Sequence, residues 1–236
     1  MTSISHQSFA SRLGNAVKLS IALNDYTDYV APKPLVSKAA LDTAIADINL
    51  LMNKYTDIKN EYRVAVKKRT NLFDDDTNSI AKLLSPIGTF IQALKGVESI
   101  AYQEISTKIK HIRGAVSQKK TTSQNTTVAQ VSQVESTFTS KASDFGQIIT
   151  ILKTLGAEYQ PPNTEITIAA LDAKYQEALN ANQAVDTQLG TYKPIIKDRQ
   201  DSFQALHEQC QDIKNFISAQ YGNSSQQYIR IKSLLI

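Results

Sequence analysis

The sequence predicts an all-α fold: an elongated helical bundle built from two tandem copies of one helix–long helix–helix unit. Glycine is scarce, with 8 among 236 residues. Apolar residues recur at alternating spacings of four and three over very long stretches, and the chain resembles itself after a shift of 130 residues. Such a period places one apolar seam along the side of a helix, and strands cannot use it.

The internal repeat covers nearly the whole chain. A shift of 130 residues brings about ten identical pairs together in about 45 ungapped positions, which indicates a duplicated unit. Residues 8–12 also resemble residues 137–141, at an offset one residue shorter. We place copy 1 at about residues 7–118 and copy 2 at about residues 136–236. The identical pairs are Tyr29 and Tyr159, Pro32 and Pro162, residues 39–42 and 169–172, Tyr62 and Tyr192, Lys67 and Lys197, Arg69 and Arg199, and Phe73 and Phe203.

The two copies are expected to share one core, so we predict a single bundle domain over residues 1–236. A long helix cannot bury its seam alone, and the short helices of each copy should lie end to end along it. A pseudo-twofold axis between the copies would make the long helices antiparallel. The polar segment 119–127, KKTTSQNTT, lies at the junction and is predicted to be an exposed linker or a protruding polar helix.

Each long helix has a start signal. Ser37 and Thr167 stand at the N-cap position, directly after proline-containing connectors. Copy 1 then has no glycine or proline until Pro86, which predicts a helix of about 50 residues, about 75 Å long, with a break at residues 85–88. Copy 2 has Gly190 and Pro194 in the middle, where we predict a bend or a division.

Four shorter helices complete the prediction. They run from about residue 8 to 25, from about residue 97 onward, through residues 131–152 with an end at Gly156, and after the turn Gly222-Asn223.

Composition narrows the functional classes. The net charge of +4 is only mildly basic, and no run approaches the ~20 apolar residues of a membrane span. The first residues lack a basic-then-apolar signal organisation, so we expect a cytoplasmic protein. Cys210 is the only cysteine and lies in the apolar seam, which predicts a buried, inert thiol.

No pattern supports catalysis, a metal or a cofactor. Side chains of Asp74, Asp75 and Asp76 would point about 100° apart on a helix and cannot converge on one ion. The three histidines, His6, His111 and His207, lack the spacing of helical metal sites. Phosphate-binding glycine loops and nucleophile elbows are absent from the sequence, so we expect no enzymatic activity.

Arg69 and Arg199 occupy seam positions where apolar residues are expected. One interpretation is a pseudo-symmetric pair that binds an anion. The favoured interpretation is structural, with stems that pack and heads that pair with a carboxylate or a helix C-terminus. Asp42 and Asp172 are interpreted as surface caps of the first helical turn, and Tyr62, Tyr192, Phe73 and Phe203 as structural residues of the repeat.

A basic patch is the main candidate contact for an anion or a partner. It comprises Lys108, Lys110, Arg113, Lys119 and Lys120. A phosphate backbone would bind such a patch in a salt-sensitive way, but no aromatic residues alternate with it, and solvated helix surface is the commoner explanation. The uncharged stretch 83–94, LLSPIGTFIQAL, is the kind of segment that helical pore-forming toxins insert into membranes, although it is too short to span one.

The residues of copy 2 carry one resemblance. Its features are the connector Tyr159-Gln160-Pro161-Pro162, the start of the long helix at Leu171-Asp172, Arg199, and the closing segment 216–231, FISAQYGNSSQQYIRI. Together these features resemble an uncharacterised family of bacterial all-helical proteins. The resemblance implies a bacterial origin and a helical fold, and it implies no activity.

Taken together, these features favour a non-enzymatic helical scaffold or protein-interaction module, whose partner is a second copy or another protein. One alternative is a basic helical protein that binds nucleic acid. The other is a helical pore-forming, toxin-like component, which requires the membrane contact that the composition least supports.

Overall fold

The computed structural model of the chain describes residues 8–114 and 137–236. This part of the chain is all helical and contains no strand, which confirms the predicted class. Short 3-10 helices precede both long helices, and a π-helical turn, Asn71–Asp75, follows the first of them. The α-helices are α1 (Phe9–Asn24), α2 (Lys38–Thr70), α3 (Ile80–Lys95), α4 (Ile100–Ile112), α5 (Phe138–Thr154), α6 (Ile168–Tyr221) and α7 (Gln226–Lys232).

The predicted end of the long helix of copy 1 is wrong, because the helix ends well before it. α2 ends in the π-helical turn, and α3 begins after Ser79, so the break precedes the predicted one and Pro86 lies inside α3. The break falls in the sequence DDDTNS, whose short polar side chains compete with the helical hydrogen bonds of the backbone. The Ser79 hydroxyl, for example, donates to the Asp74 carbonyl oxygen at 3.2 Å.

The predicted division of the long helix of copy 2 is wrong, because one helix covers the whole region, and the predicted bend at Gly190 and Pro194 stays a prediction. α6 spans 54 residues and contains both Gly190 and Pro194. A proline removes one backbone hydrogen bond, and packing on either side outweighs that loss. Val185 before the proline and Ile195 after it are both buried.

Contacts along the chain group into two compact units. Unit 1 comprises Met1–Asn60 and Leu189–Ile236, and unit 2 comprises Glu61–Gln188. Each unit therefore takes residues from both sequence copies. The single-domain prediction stays a prediction, and the junction 119–127 lies outside the described residues.

Unit 1 has a core formed by α1, the first part of α2, the last part of α6, and α7. The Tyr29 hydroxyl donates to the Val36 carbonyl oxygen at 2.6 Å and fixes the connector before α2. Cys210 is fully buried, as predicted, and burial raises the pKa of its thiol to about 12. The largest fully buried side chains of unit 1 include Leu19, Leu41, Phe203, Ile213 and Ile217.

Unit 2 has a separate core formed by the π-helical turn, α3, α4, α5 and the part of α6 within it. The Tyr159 hydroxyl donates to the Ile166 carbonyl oxygen at 2.6 Å, and burial raises the pKa of Tyr159 to about 12. The uncharged stretch 83–94 supplies much of this core, because Leu83, Leu84 and Ile87 are buried on α3. Other fully buried side chains are Phe73, Ile80, Ile91, Ile105, Phe145, Ile148 and Leu152.

Candidate functional site

Both seam arginines lie against aromatic rings. The guanidinium carbon of Arg199 lies 3.6 Å from the centre of the Tyr55 ring and 4.4 Å from that of Phe9. The guanidinium carbon of Arg69 lies 4.3 Å from the centre of the Phe138 ring. Within the described residues, neither arginine has a carboxylate within 4.0 Å. The rings therefore take the place that we predicted for a carboxylate partner.

The Phe9 cluster of unit 1 consists of Phe9, Arg12, Tyr55, Arg199 and Phe203. The Phe9 and Phe203 rings lie 4.6 Å apart, and Arg12 donates through Nη2 to the Phe203 carbonyl oxygen at 3.0 Å. The Arg12 guanidinium lies 5.8 Å from the Phe9 ring centre. The Phe9 ring therefore has two arginines beside it, Arg12 from α1 and Arg199 from α6. Burial lowers the pKa of Arg12.

A tyrosine pair adjoins the Phe9 cluster. The hydroxyl oxygens of Tyr55 and Tyr192 lie 3.2 Å apart. This hydrogen bond lowers the pKa of Tyr55, and the neighbouring charges of Arg199 and Lys59 lower it further. The Lys59 ammonium lies 5.7 Å from the centre of the Tyr55 ring. Cations and rings therefore alternate from Arg12 through Phe9, Arg199 and Tyr55 to Lys59.

The Phe138 cluster of unit 2 consists of Phe138, Lys141, Arg69, Phe73 and Asp74. The Phe73 and Phe138 rings lie 5.1 Å apart, and the Lys141 ammonium lies 5.2 Å from the Phe138 ring centre. Lys141 also forms an ion pair with Asp74 at 2.9 Å. This cluster therefore contains its own carboxylate, and the lysine that the carboxylate meets is largely buried.

The basic patch is partly neutralised by a carboxylate. Lys108 forms an ion pair with Asp144 at 3.0 Å, and the Nδ1 atom of His111 lies 3.8 Å from the same carboxylate. Arg113 donates to the Ser85 hydroxyl at 2.6 Å, whereas Lys110 is exposed. The structure thus places Asp144 among the described members of the patch. Lys119 and Lys120 lie outside the described residues.

The paired aspartates at the starts of the long helices tie each start to a neighbouring helix. Asp42 accepts from the Ser20 hydroxyl on α1 and forms an ion pair with Lys38 at 2.5 Å. These two hydrogen bonds lower the pKa of Asp42. Asp172 forms an ion pair with Lys153 on α5 at 2.8 Å.

The remaining candidates have structural surroundings. Asp74 and Asp75 pair with two different lysines, Lys141 and Lys67, so the three consecutive aspartates do not act together. Across residues 8–114 and 137–236, no group of three or more histidine, cysteine, aspartate or glutamate side chains is placed to hold a metal ion. Phe73 and Phe203 are core residues, while Tyr62 is half-buried.

One exposed apolar feature was missed by sequence reasoning. The turn between α3 and α4 carries Leu94, Val97 and Ile100, which are 38%, 47% and 76% exposed. We call these three side chains the apolar turn. The sequence contains a signal for this feature. When Gly96 is aligned with Gly222, the three apolar residues correspond to polar residues of the α6–α7 turn. Those polar residues are Gln220, Asn223 and Gln226.

The two turns are built alike despite this difference. Gly96 and Gly222 have positive φ angles of 77° and 92°, a conformation that favours glycine. The following serines, Ser99 and Ser225, each accept from a backbone N–H three residues on, at 3.3 and 3.2 Å, and so cap α4 and α7.

Comparison of the chain with protein-family models, curated proteins and solved structures gives no match. Among the helices of the described residues, none is long and apolar enough to cross a membrane.

Proposed function

We propose that this protein is a non-enzymatic helical interaction module that binds a protein partner through the apolar turn of unit 2. The observation that carries the proposal is the exposure of Leu94, Val97 and Ile100 within seven consecutive residues. Burying such side chains against a partner removes apolar surface from water, which is the main driving force of protein association.

The fold itself gives no reason for this apolar surface. The α6–α7 turn uses the same glycine and serine positions and is polar at all three corresponding sites, Gln220, Asn223 and Gln226. Since the turn geometry tolerates polar residues, the apolar residues of the α3–α4 turn are available for a role outside folding. The buried centres of contacts between proteins are more apolar than the rest of the protein surface.

The alternatives have less support. Asp144 offsets positive charge in the basic patch, which weakens the case for nucleic acid. Most apolar side chains of the stretch that resembles a toxin hairpin lie in the core of unit 2, among them Leu84 and Ile87, while Leu94 at its end belongs to the apolar turn. Tandem duplication, coiled-coil character of the seams, a pseudo-twofold relation, bacterial origin and cytoplasmic location remain predictions that accompany this proposal.

The test replaces the apolar turn with the residues found at the other turn. The variant L94Q/V97N/I100Q should fold normally, because substitutions of exposed side chains change stability by only about 0.5 kcal/mol each. The matched control is V30N/L50Q/V64N, which changes three residues that are 73%, 69% and 68% exposed but far apart in sequence.

Sedimentation velocity detects binding of a second copy, and quantitative affinity capture with mass spectrometry detects other proteins. We expect the wild type and the control variant to form the same complexes, and the turn variant to lose them by at least tenfold. Equal complex formation by all three proteins would contradict the proposal.

A further inference from the structure

A groove in unit 1 runs between the first part of α2 and the last part of α6. Its floor is apolar, because Ile48 and Leu206 are buried there. Ala44, Ala205 and Leu35 complete its apolar lining, and Leu35 is 57% exposed. The groove encloses about 420 Å³, which is within the range of about 300–1,000 Å³ that is usual for binding pockets. It is therefore large enough to take side chains of a partner.

Three carboxylates line the same groove. Asp47 is on α2, and Glu208 and Asp212 are on α6. Asp212 forms an ion pair with Lys33 at 2.6 Å, and Glu208 accepts a hydrogen bond from the neutral amide of Gln204. Within the described part of the chain, no lysine, arginine or histidine nitrogen lies within 4.0 Å of the carboxylate of Asp47 or Glu208. The groove therefore combines an apolar floor with negative charge from both helices.

The α2 side of the groove differs in charge from the corresponding part of unit 2. The shift of 130 residues aligns Asp47 with Glu177, which pairs with Lys174 at 3.0 Å. Lys174 aligns with Ala44. Unit 1 thus lacks the lysine that neutralises the corresponding carboxylate in unit 2.

The α6 side differs in the same direction. Glu208 aligns with Asn78, and Asp212 aligns with Lys82. Because unit 2 has a neutral and a positive residue at these positions, the fold that the units share does not require the two carboxylates. Like charges along one groove repel one another, and a cationic partner relieves that repulsion.

The groove suits a helix better than an extended peptide. The helices α2 and α6 use their backbone N–H and C=O groups internally, so the groove offers no backbone partners to an extended peptide. A helix brings its own backbone hydrogen bonds and presents apolar side chains at spacings of three and four residues along one face. Lysine or arginine side chains at the edges of that face would cover the floor with their apolar stems and reach the carboxylates with their charged ends.

We propose that the groove between α2 and α6 of unit 1 binds an amphipathic helix of another protein, with lysine or arginine at the edges of its apolar face. This site is a second contact surface and does not rest on the apolar turn of unit 2. The net charge of the chain is +4, which repels a basic helix, so binding has to depend on the local negative charge of the groove.

The first test measures the binding of a designed peptide to the full chain by fluorescence anisotropy near neutral pH. The peptide is a capped helix of about 14 residues, about four turns, with leucine and alanine on one face and lysine at both edges of that face. A control peptide has glutamate in place of lysine. We expect the lysine peptide to bind and the glutamate peptide to bind about tenfold more weakly or less. Equal binding of both peptides, or no binding of the lysine peptide, would overturn the proposal.

Variants of the groove locate the binding. A44K introduces the lysine that unit 2 has, three residues before Asp47, and should weaken binding about tenfold because its ammonium takes the place of a partner's cation. D47N/E208Q removes two exposed carboxylates with little change of shape, should weaken binding by a similar factor, and keeps the test valid if A44K does not fold. The matched control D57N/D186N removes one exposed carboxylate from each of α2 and α6 outside the groove, and it should bind like the wild type. An equal loss in D57N/D186N and D47N/E208Q would contradict the site.

Two further measurements test the occupant. The turn variant L94Q/V97N/I100Q should bind the lysine peptide like the wild type, and a loss of binding there would show that the peptide uses the apolar turn instead. Sedimentation velocity of the chain alone should give the same result for the wild type and A44K. Self-association that A44K abolishes would assign the groove to a second copy and overturn the proposal.

Discussion

The Phe9 cluster of unit 1 and the Phe138 cluster of unit 2 use the same framework with different charges. In each, an arginine of one sequence copy lies over a phenylalanine of the other copy, at 4.4 Å for Arg199 and 4.3 Å for Arg69. The accompanying phenylalanine pairs lie 4.6 and 5.1 Å apart. Only the unit 2 cluster contains a carboxylate, Asp74. The rings thus maintain the packing while the charges around them are free to differ.

The α3–α4 turn and the α6–α7 turn also combine a similar framework with different side chains. Gly96 and Gly222 keep the backbone alike, whereas the exposed side chains are apolar in unit 2 and polar in unit 1. The backbone of the two turns agrees between the units, and their exposed side chains differ.

Truncation of the two core phenylalanines should have the largest effect. F203A and F73A each remove a ring that is at most 1% exposed, and each should cost about 3–5 kcal/mol. The units should respond separately, because Phe203 contacts α1 and Phe73 contacts α5. Hydrogen exchange measured by mass spectrometry should become faster in α1 for F203A and in α5 for F73A. The reverse assignment would break the comparison.

An intermediate loss of stability is expected at a packed position where unit 2 has a glycine and unit 1 has a valine. A Cβ atom at Gly146 would lie 2.9 Å from the Tyr175 ring, whereas the corresponding residues of unit 1 are Val17 and Ile45. G146V should therefore cost about 1–3 kcal/mol by overpacking. The double variant G146V/Y175I copies the pair of unit 1 and should recover most of that loss in urea unfolding. Additive losses would show that the two positions are not coupled.

The smallest effect concerns Asp42. The hydrogen bonds from Lys38 and Ser20 lower its folded-state pKa below the ordinary value of 3.8. The unfolded state then binds more protons, so the stabilisation is present above that ordinary value and is lost as the pH falls through the folded pKa. D42N should lower stability near pH 6 by less than about 1 kcal/mol, because the pair is partly exposed. The difference from the wild type should shrink toward pH 2. A constant difference would contradict this account.

Much of the fold could be predicted from the sequence, because long apolar periods and cap residues act locally. The ends of α1 follow the predicted boundaries within a residue, and the turn before α7 lies at Gly222. The predicted break at residues 85–88 and the predicted division at Pro194 were wrong for one reason. We gave proline more weight than a run of short polar residues, although Pro86 and Pro194 lie inside helices and DDDTNS ends one.

The candidate sites were harder to predict. Seam periodicity singled out Arg69 and Arg199, but it could not identify their aromatic partners, because Phe9 and Phe138 come from the other sequence copy. The net charge of the basic patch could not be predicted from its own residues, because Asp144, which pairs with Lys108, lies on α5. Long-range pairing decided each of these points, and no local pattern encodes it.

The central claim is that α1 packs against α6 in unit 1 and that α5 packs against the π-helical turn after α2 in unit 2. Photo-cross-linking tests it most directly, with p-benzoylphenylalanine placed at Phe9 or Phe138, both of which are only partly buried. The contacts in the structure predict that position 9 cross-links to the tryptic peptide 200–214, which contains Phe203, and position 138 to the peptide 70–82, which contains Phe73. Cross-links from position 9 to peptide 70–82 and from position 138 to peptide 200–214 would contradict the account.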